Sequence, residues 1–188
     1  MSCLKEIRSD FSRYIATGAR SRIKIILFNQ SFFFTSVFRV NTWLYAITRT
    51  VPLLRVIVAL HCLVWLKISQ VVSGLSLPVG LKVGRGLLIS HPGSIIINSQ
   101  AIIGENCNIA PGVVIGFGII AGSQGYPTIG DRVFIGPGAK IFGPISIGND
   151  VMIGANAVVN RPVPDNAVVV GVPARVVSRK GSSEYVKY

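Results

Sequence analysis

The stretch IGDRVFIGPGAKIFGPISIGNDVMIGANAVV, residues 129–159, has an aliphatic residue at every sixth position. The same step runs upstream, and the residues that begin these blocks are Ile97, Ile103, Ile109, Ile115, Ile129, Ile135, Ile141, Ile147, Ile153 and Val159. A fixed hexapeptide period is typical of a β-helix, in which each coil buries its aliphatic residues against the coils above and below. An ordinary β-sheet protein would alternate with a period of two and pause at irregular spacings. We therefore predict a mainly β protein built on a parallel β-helix.

The six-residue period is interrupted at two places. The first interruption lies between Ile89 and Ile97 and contains His91. The second, residues 116–128, is rich in Gly and lacks charge, which predicts a loop. Insertions in a solenoid often carry function. Because the two interruptions fall within about two coils of each other, they predict a site.

The chain divides into three predicted regions: an apolar, basic helical region over 1–74, the β-helix over 75–178, and a polar C-terminal tail over 179–188 that we expect to be mobile. Within the first region, residues 1–22 have apolar side chains at helical spacing, and residues 53–72 form a second helical stretch that begins after Pro52. Residues 23–50 are apolar and aromatic.

The positive charge is concentrated at the two ends of the chain. The formal net charge is +12, with +8 in residues 1–74, +1 in residues 75–170 and +3 in residues 171–188. This asymmetry favours an anionic partner, and because no nucleic-acid-binding signature is present, we expect a membrane surface or an acidic polymer. Merely solvated charges are the alternative.

The helical region leaves two interpretations open. No uninterrupted apolar run reaches the length of about 20 residues that a membrane span needs. Residues 1–74 therefore either make peripheral contact with a membrane interface or pack on each other, on the β-helix or on another copy. The polar N-terminus and three cysteines without a pairing pattern predict a cytoplasmic protein, with the membrane interpretation placing it at the inner face of the cell membrane.

Histidine is the residue type best suited to base chemistry at neutral pH, and the chain has only His61 and His91. His61 lies in an apolar helical stretch, which favours a structural role. His91 lies in the polar first interruption and is the candidate general base. No cluster of Cys and His has the spacing of a metal site, and a three-histidine zinc site cannot be formed within one chain, so we predict no metal.

Four segments carry a family resemblance: Ser90-His91-Pro92-Gly93, residues 135–141, residues 153–159, and Gly171-Val172-Pro173-Ala174-Arg175. Together with the repeats, they resemble the left-handed β-helix acyltransferases over residues 75–178, and more loosely over 23–74. The most similar branch comprises serine O-acetyltransferases and their relatives that acetylate capsular, exopolysaccharide and other surface sugars.

The resemblance implies a left-handed β-helix, a homotrimer with active sites in the clefts between neighbouring copies, and acetyl-CoA as the co-substrate. It implies that His91 is the general base in a direct acetyl transfer. The residues that match cofactor-binding positions are Gly116, Pro137, Ala155, Asn160, Arg161 and Arg175, with Arg179 or Lys180 as further phosphate partners. Small residues permit close approach of an extended chain, and arginine suits phosphate.

The sequence also departs from the serine acetyltransferases. Ser90 and Ser76 replace two aspartates, one preceding the histidine and one orienting it, and Gly125 and Tyr126 replace an Arg-His pair that helps to hold the amino acid. Ser76, Ser90 and Tyr126 are therefore candidates to orient His91 or to contact the acceptor. Because the charges that grip serine are missing, we predict that the acceptor is a sugar or polysaccharide precursor, with a serine O-acetyltransferase of cysteine biosynthesis as the alternative. A third interpretation is a non-catalytic trimeric scaffold.

Overall fold

The computed structural model describes residues 3–18 and 22–187. The N-terminal helices are α1 (Cys3–Ala16), α2 (Arg22–Phe28), α3 (Gln30–Ile47) and α4 (Pro52–Ser73), with a short 3-10 helix, Thr48–Thr50, before α4. The predicted helix over 53–72 is confirmed: Pro52 begins it, and Gly74 ends it with a φ of 69°, a conformation that glycine adopts without strain. The helix predicted over 1–22 is observed only as far as Ala16, and residues 19–21 lie outside the described residues.

Short strands follow α4 and form a coil of three faces. Face A contains β1 (Leu75–Ser76), β4 (Ile95–Ile97), β7 (Val114–Gly116), β12 (Lys140–Phe142) and β15 (Val158–Val159). Face B contains β2 (Lys82–Val83), β5 (Ile102–Ile103), β10 (Thr128–Ile129) and β13 (Ser146–Ile147). Face C contains β3 (Leu88–Ile89), β6 (Asn108–Ile109), β11 (Phe134–Ile135), β14 (Met152–Ile153), β16 (Val168–Val170) and β17 (Arg175–Ser178). Parallel pairing joins successive coils on each face, and the predicted parallel β-helix is present.

The aliphatic residues that begin the hexapeptides form the core of the β-helix. Ile135 pairs with Ile153 three blocks later and with Ile109 in the preceding coil, and all three are fully buried. Each such side chain contributes roughly 1.5–3 kcal/mol through its removal from water. The repeat therefore stabilises the rod through identical inward positions in each coil.

Two segments differ from their predictions. The predicted loop over 116–128 contains a two-stranded antiparallel hairpin, β8 (Gly118–Ile120) and β9 (Ser123–Gly125). The tail predicted to be mobile is packed on face C, because the backbone N–H of Ser182 donates to the Asp150 carbonyl at 3.0 Å and Val186 is buried. The tail was predicted to be mobile because it is mostly charged and polar. Its buried residues, Ser182 and Val186, follow no periodic pattern that would have indicated packing.

Buried charged side chains attach α1 and α3 to the first coils of the rod. The Arg39 guanidinium donates to both carboxylate oxygens of Asp10, at 2.9 and 3.1 Å, and to the carbonyls of Val83 and Gly84. The neighbouring Arg13 is also fully buried and donates to the Asn108 side chain at 2.6 Å. α1 and α3 are therefore fixed to the rod by polar contacts that a packed apolar interface would lack.

α4 is the one described helix that is long and apolar enough to cross a membrane by length and composition alone. Its most apolar 18-residue window has a mean hydropathy of 1.8, and 17% of that window is buried. The count of uninterrupted apolar residues did not identify α4 as a candidate span, because Arg55 and Lys67 interrupt the apolar run.

Candidate active site

His91 lies directly after β3, where the chain turns from face C to face A. Its side chain is exposed, and no hydrogen bond to its imidazole is found among residues 3–18 and 22–187. The turn after it passes through Gly93 and Ser94, which have φ angles of 137° and 37°. α1 supports this turn from below, because the buried Tyr14 hydroxyl donates to the Ile89 carbonyl at 3.1 Å. The imidazole of His91 is thus accessible to solvent, while the backbone that carries it is fixed by a buried hydrogen bond.

The corner between faces C and A recurs in every coil. Stacked along one edge of the rod, these corners form a continuous column, which we call the corner column. The Gly112 N–H donates to the Gly93 carbonyl at 3.2 Å, that of Gly138 to Pro111 at 2.8 Å, and that of Asn156 to Pro137 at 2.7 Å. These bonds place Pro137 two coils and Ala155 three coils below His91. At about 4.8 Å a coil, the separations are roughly 10 and 14 Å. His91, Pro137 and Ala155, which the resemblance assigned to one site, therefore share one edge of the rod.

Small residues line this corner column and leave a track for an extended molecule. Pro137 and Ala155 are exposed, and a side chain on Gly138 would collide with that of Asn156. Arg175 lies at the far end, where it begins β17 and pairs with Val170. Its guanidinium is exposed and donates to the carbonyl of Ala174 at 3.0 Å. The column therefore joins a histidine at one end to a cation five strands, or roughly 24 Å, away.

Sequence reasoning missed Lys140. It extends from β12 on face A, and its ammonium donates to the Gly112 carbonyl in the corner column at 2.6 Å. A positive charge therefore stands between the coils of His91 and Pro137. A signal was available, since Ile96, Val114 and Val158 occupy the equivalent strand position in neighbouring coils and Lys140 is the charged member of that row.

Other predicted residues lie at the next corner, between faces A and B. They are Gly116, Tyr126, Asn160 and Arg161, and the width of face A separates them from His91 within one chain. The Tyr126 hydroxyl accepts a hydrogen bond from Gln100 at 3.3 Å, and its ring lies 5.6 Å from that of Phe117. Ser76 lies on β1 in face A and accepts from the Gln70 amide at 3.0 Å. The single chain brings neither Ser76 nor Tyr126 into a hydrogen bond with His91.

The remaining candidate groups have simple placements. Ser90 is exposed beside His91, and Arg179 and Lys180 are exposed beyond β17. Burial raises the pKa of the Cys107 thiol to about 12, so this cysteine is not an available nucleophile. Among the residues that the structure describes, no three His, Cys, Asp or Glu side chains are grouped to hold a metal ion.

Comparison with known families and proteins bears on this arrangement. The family "Bacterial transferase hexapeptide (six repeats)" matches residues 126–161. A serine acetyltransferase of Mycobacterium tuberculosis is 42% identical over 115 residues, which cover 61% of this chain and 50% of the relative. A serine acetyltransferase of Synechococcus elongatus is 33% identical over 164 residues, which cover 87% of this chain and 64% of the relative. The chain thus spans between half and two thirds of the length of these curated relatives.

Solved structures agree with this similarity over a longer part of the chain. The serine acetyltransferase of Neisseria gonorrhoeae has a TM-score of 0.82 at 28% identity, covering 95% of this chain and 66% of that one. A serine acetyltransferase solved in complex with CoA has a TM-score of 0.78 at 26% identity, covering 94% and 70%. The predicted left-handed β-helix with N-terminal helices is confirmed.

The comparisons correct the predicted acceptor. The relatives and solved structures described above are serine acetyltransferases, so the prediction of a sugar or polysaccharide precursor is wrong and the alternative is favoured. The predicted closeness to capsular and exopolysaccharide enzymes also lacks support. The missing charges at positions 76, 90, 125 and 126 misled the prediction, since it treated them as necessary for this branch. Residues 126–161 thus match the bacterial hexapeptide transferase family, and most of the chain is similar in sequence and fold to serine acetyltransferases.

Proposed function

We propose that this chain is a serine O-acetyltransferase that uses acetyl-CoA. The observation that carries the proposal is the corner column, which places the exposed His91, the small Pro137 and Ala155, and the cationic Arg175 along one edge of the rod. Similarity to serine acetyltransferases over 87% of the chain supports serine as the acceptor. The structure solved with CoA supports the donor.

In the proposed reaction, His91 accepts the proton of the serine hydroxyl while that oxygen attacks the carbonyl carbon of the thioester. The new C–O bond forms, the C–S bond breaks, and the sulfur of CoA leaves with the proton that histidine returns. Lys140 and Arg175 lie where cations can hold the anionic donor. No covalent enzyme intermediate is needed, which agrees with the buried state of Cys107.

We also propose that the active unit is a homotrimer. Face C is covered by α1 and by the C-terminal tail, which leaves faces A and B for contact with other copies. Packing of this kind would bring Gly116, Tyr126, Asn160 and Arg161 of one copy opposite His91 of its neighbour. The separation of the two corners within one chain is the reason for this proposal.

Serine must be held without the aspartates that the family resemblance predicts. The hydroxyls of Ser76 and Ser90 and the Tyr126 hydroxyl can accept or donate hydrogen bonds, but they carry no charge. Hydrogen bonds between neutral groups are weaker than charge-assisted ones. We therefore expect a high KM for serine.

The test is release of free thiol from acetyl-CoA by the purified full chain. L-serine is the acceptor in one series, L-threonine in a second, and buffer alone in a third, with mass measured by light scattering on the same sample. Serine-dependent release, with O-acetylserine identified by mass spectrometry and a trimeric mass, is the expected result. Equal release with and without serine, or no release at any serine concentration, would contradict the proposal.

A further inference from the structure

The outer face of α4 is apolar where a surface helix is normally polar. Its stripe consists of Leu53, Ile57, Leu60, Val64, Ile68 and Val71. These side chains are 38–86% exposed. A helix in a globular protein usually turns such a stripe toward the core. A contiguous exposed apolar surface of this kind marks an interaction site.

The opposite side of α4 faces the protein, and polar side chains on it bond to neighbouring elements. The Ser69 hydroxyl donates to the Leu75 carbonyl at 2.9 Å, and the Gln70 amide donates to Ser76. Arg55 donates to the Tyr45 hydroxyl at 3.0 Å and lies over its ring. These contacts fix the rotation of the helix. The apolar face is therefore directed outward by specific bonds and is not exposed through loose packing.

The charges around this face select an anionic partner. Residues 30–73, which comprise α3, the 3-10 helix and α4, contain four Lys and Arg, of which Arg39 is buried, and no Asp or Glu. Arg49 is exposed just before α4, and Lys67 is exposed on its outer side near the C-terminal end. Trp43, an aromatic residue of the type favoured at membrane interfaces, is 43% exposed on the adjoining α3. An apolar helix face with basic residues beside it is the pattern of a helix that lies in a membrane interface.

A second copy of the chain fits this surface less well. Further exposed aliphatic residues flank the stripe on both sides, among them Val56 and Leu63 on one side and Leu54 and Val72 on the other. The apolar surface is therefore wider than the narrow seam of a coiled coil. Pairing of two such helices would also bring Lys67 and Arg49 of the copies together without an acidic residue in 11–104 to neutralise them.

We propose that the outer face of α4 binds the surface of an anionic phospholipid bilayer, with the helix lying in the plane of the membrane. An in-plane helix buries one face, roughly 5–10 Å deep, and leaves the other free to contact protein. This matches α4, whose inner side is bonded to α3 and β1 and could not be surrounded by lipid without breaking those contacts. The predicted membrane contact of residues 1–74 is thereby narrowed to α4, because the apolar side of α1 packs on Leu88 of the rod.

The experiment is co-sedimentation of the full chain with vesicles of phosphatidylcholine alone or of phosphatidylcholine mixed with phosphatidylglycerol. We expect binding to the mixed vesicles that weakens as salt is raised. Leu60→Gln/Val64→Gln should lower the partition coefficient at least about tenfold, because two buried aliphatic side chains are lost. Arg49→Gln/Lys67→Gln should lower it by about 30-fold, since each cation near an anionic surface contributes separately.

The matched control is Leu4→Gln/Val177→Gln, which changes two aliphatic residues that are 76% and 60% exposed on other surfaces. It should bind like the unchanged chain, and circular dichroism should give all three variants the same thermal midpoint. Absence of binding to anionic vesicles, or equal binding by the Leu60→Gln/Val64→Gln variant, would overturn the proposal. A fall in mass of that variant in solution, with no vesicle binding by the parent chain, would instead assign the face to a second copy. These outcomes do not depend on acetyl transfer.

Discussion

The rod and α4 distribute the same aliphatic residues in opposite ways. In the rod, Ile109, Ile135 and Ile153 point inward and are fully buried. In α4, Leu60 and Val64 are more than half exposed, while the polar Ser73 is buried. The rod completes its own core by stacking coils, whereas α4 has its polar contacts inside and its apolar surface outside. Apolar content alone thus does not indicate which part of this chain is core.

The junction between the helical region and the rod differs from both, because it is formed by buried charged residues. Asp10, Arg13 and Arg39 are 1–3% exposed and connect α1 and α3 to the first coils. A buried pair of this kind is costly to break because the surviving charge has no water around it. α1 and α3 are therefore positioned by directional bonds in addition to apolar packing, in which Phe34 and Phe38 of α3 join the core of the rod.

The largest expected effect is that of His91→Ala, which should lower activity without changing the stability of the rod. His91→Ala should lower kcat for acetyl transfer by about 10²- to 10⁴-fold, the usual contribution of a general base. Because His91 is exposed and makes no contact in the core, thermal unfolding should be unchanged. Steady-state thiol release and calorimetry are the measurements. His61→Ala, on α4, is the control and should retain activity; full activity in His91→Ala would contradict the assignment.

The junction is tested by removing one partner of its buried ion pair. Asp10→Ala should lower the free energy of unfolding by about 3–5 kcal/mol, because the buried Arg39 keeps only the partly exposed Glu6, at 3.5 Å, as a carboxylate partner and the Leu87 N–H loses its acceptor. Urea denaturation followed by circular dichroism provides the value. Glu105→Ala removes the partner of Arg85 in a pair that is 58% and 38% exposed, and it should cost less than about 1 kcal/mol. Equal losses in the two variants would show that the junction has no special role.

The contrast between rod and α4 is tested by matched truncations of aliphatic residues. Ile135→Ala should lower the free energy of unfolding by about 2–5 kcal/mol, since it opens a cavity in the core. Val64→Ala should change it by no more than about 0.5 kcal/mol, because that side chain is 56% exposed. The same denaturation experiment without lipid gives both values. A large loss for Val64→Ala would mean that its face is covered in solution.

A smaller effect is expected at the far end of the corner column. Arg175→Ala should raise KM for acetyl-CoA about tenfold with little change in kcat, because a hydrogen bond to a charged group is lost in both ground and transition states. Initial rates at saturating serine provide both constants. Arg85→Ala, in the first coil, is the control for loss of a surface cation. A fall in kcat at unchanged KM would place Arg175 outside the donor path.

The smallest effect is expected in the pH dependence of stability, through the pair of Asp150 and Arg132 beside the C-terminal tail. Two hydrogen bonds from Arg132, at 2.7 and 2.8 Å, lower the pKa of Asp150 below its usual range. Its stabilising contribution is therefore present above the ordinary Asp pKa of about 3.9 and is lost as the pH falls through the lowered value. The urea concentration at the midpoint of unfolding should fall further between neutral and acidic pH for the unchanged chain than for Asp150→Asn. An equal fall in the two proteins would contradict the role of this pair.

Much of the rod could be predicted from the sequence because its contacts repeat at fixed intervals. The hexapeptide leaders, the placement of His91 at an interruption, and the shared corner of Pro137 and Ala155 all follow from periodicity or from motifs placed on it. α4 was also predictable, since Pro52 and Gly74 bound its apolar stretch. These features depend on residues that are close together in sequence or one coil apart.

The remaining features depend on contacts between distant parts of the chain. Arg13 reaches Asn108, and Asn108 in turn donates to the Tyr185 carbonyl at 2.9 Å, which no local pattern indicates. The docked tail escaped prediction for the same reason. The hairpin at 118–125 is a local structure, and it was missed because a Gly-rich, uncharged segment indicates a loop. The acceptor was mispredicted because the absence of four charged side chains was weighted above the overall similarity of the chain.

The antiparallel return of β17 onto β16 has a consequence for assembly. Every other pair on face C is parallel, so an open final coil would present a row of free backbone groups to the next rod. β17 turns back and occupies that edge, and the Ala174 N–H closes the neighbouring face by donating to the Val158 carbonyl at 2.8 Å. At the other end, α4 lies beside β1. Neither end of the rod thus presents a complete coil, which disfavours end-to-end stacking of rods into fibres.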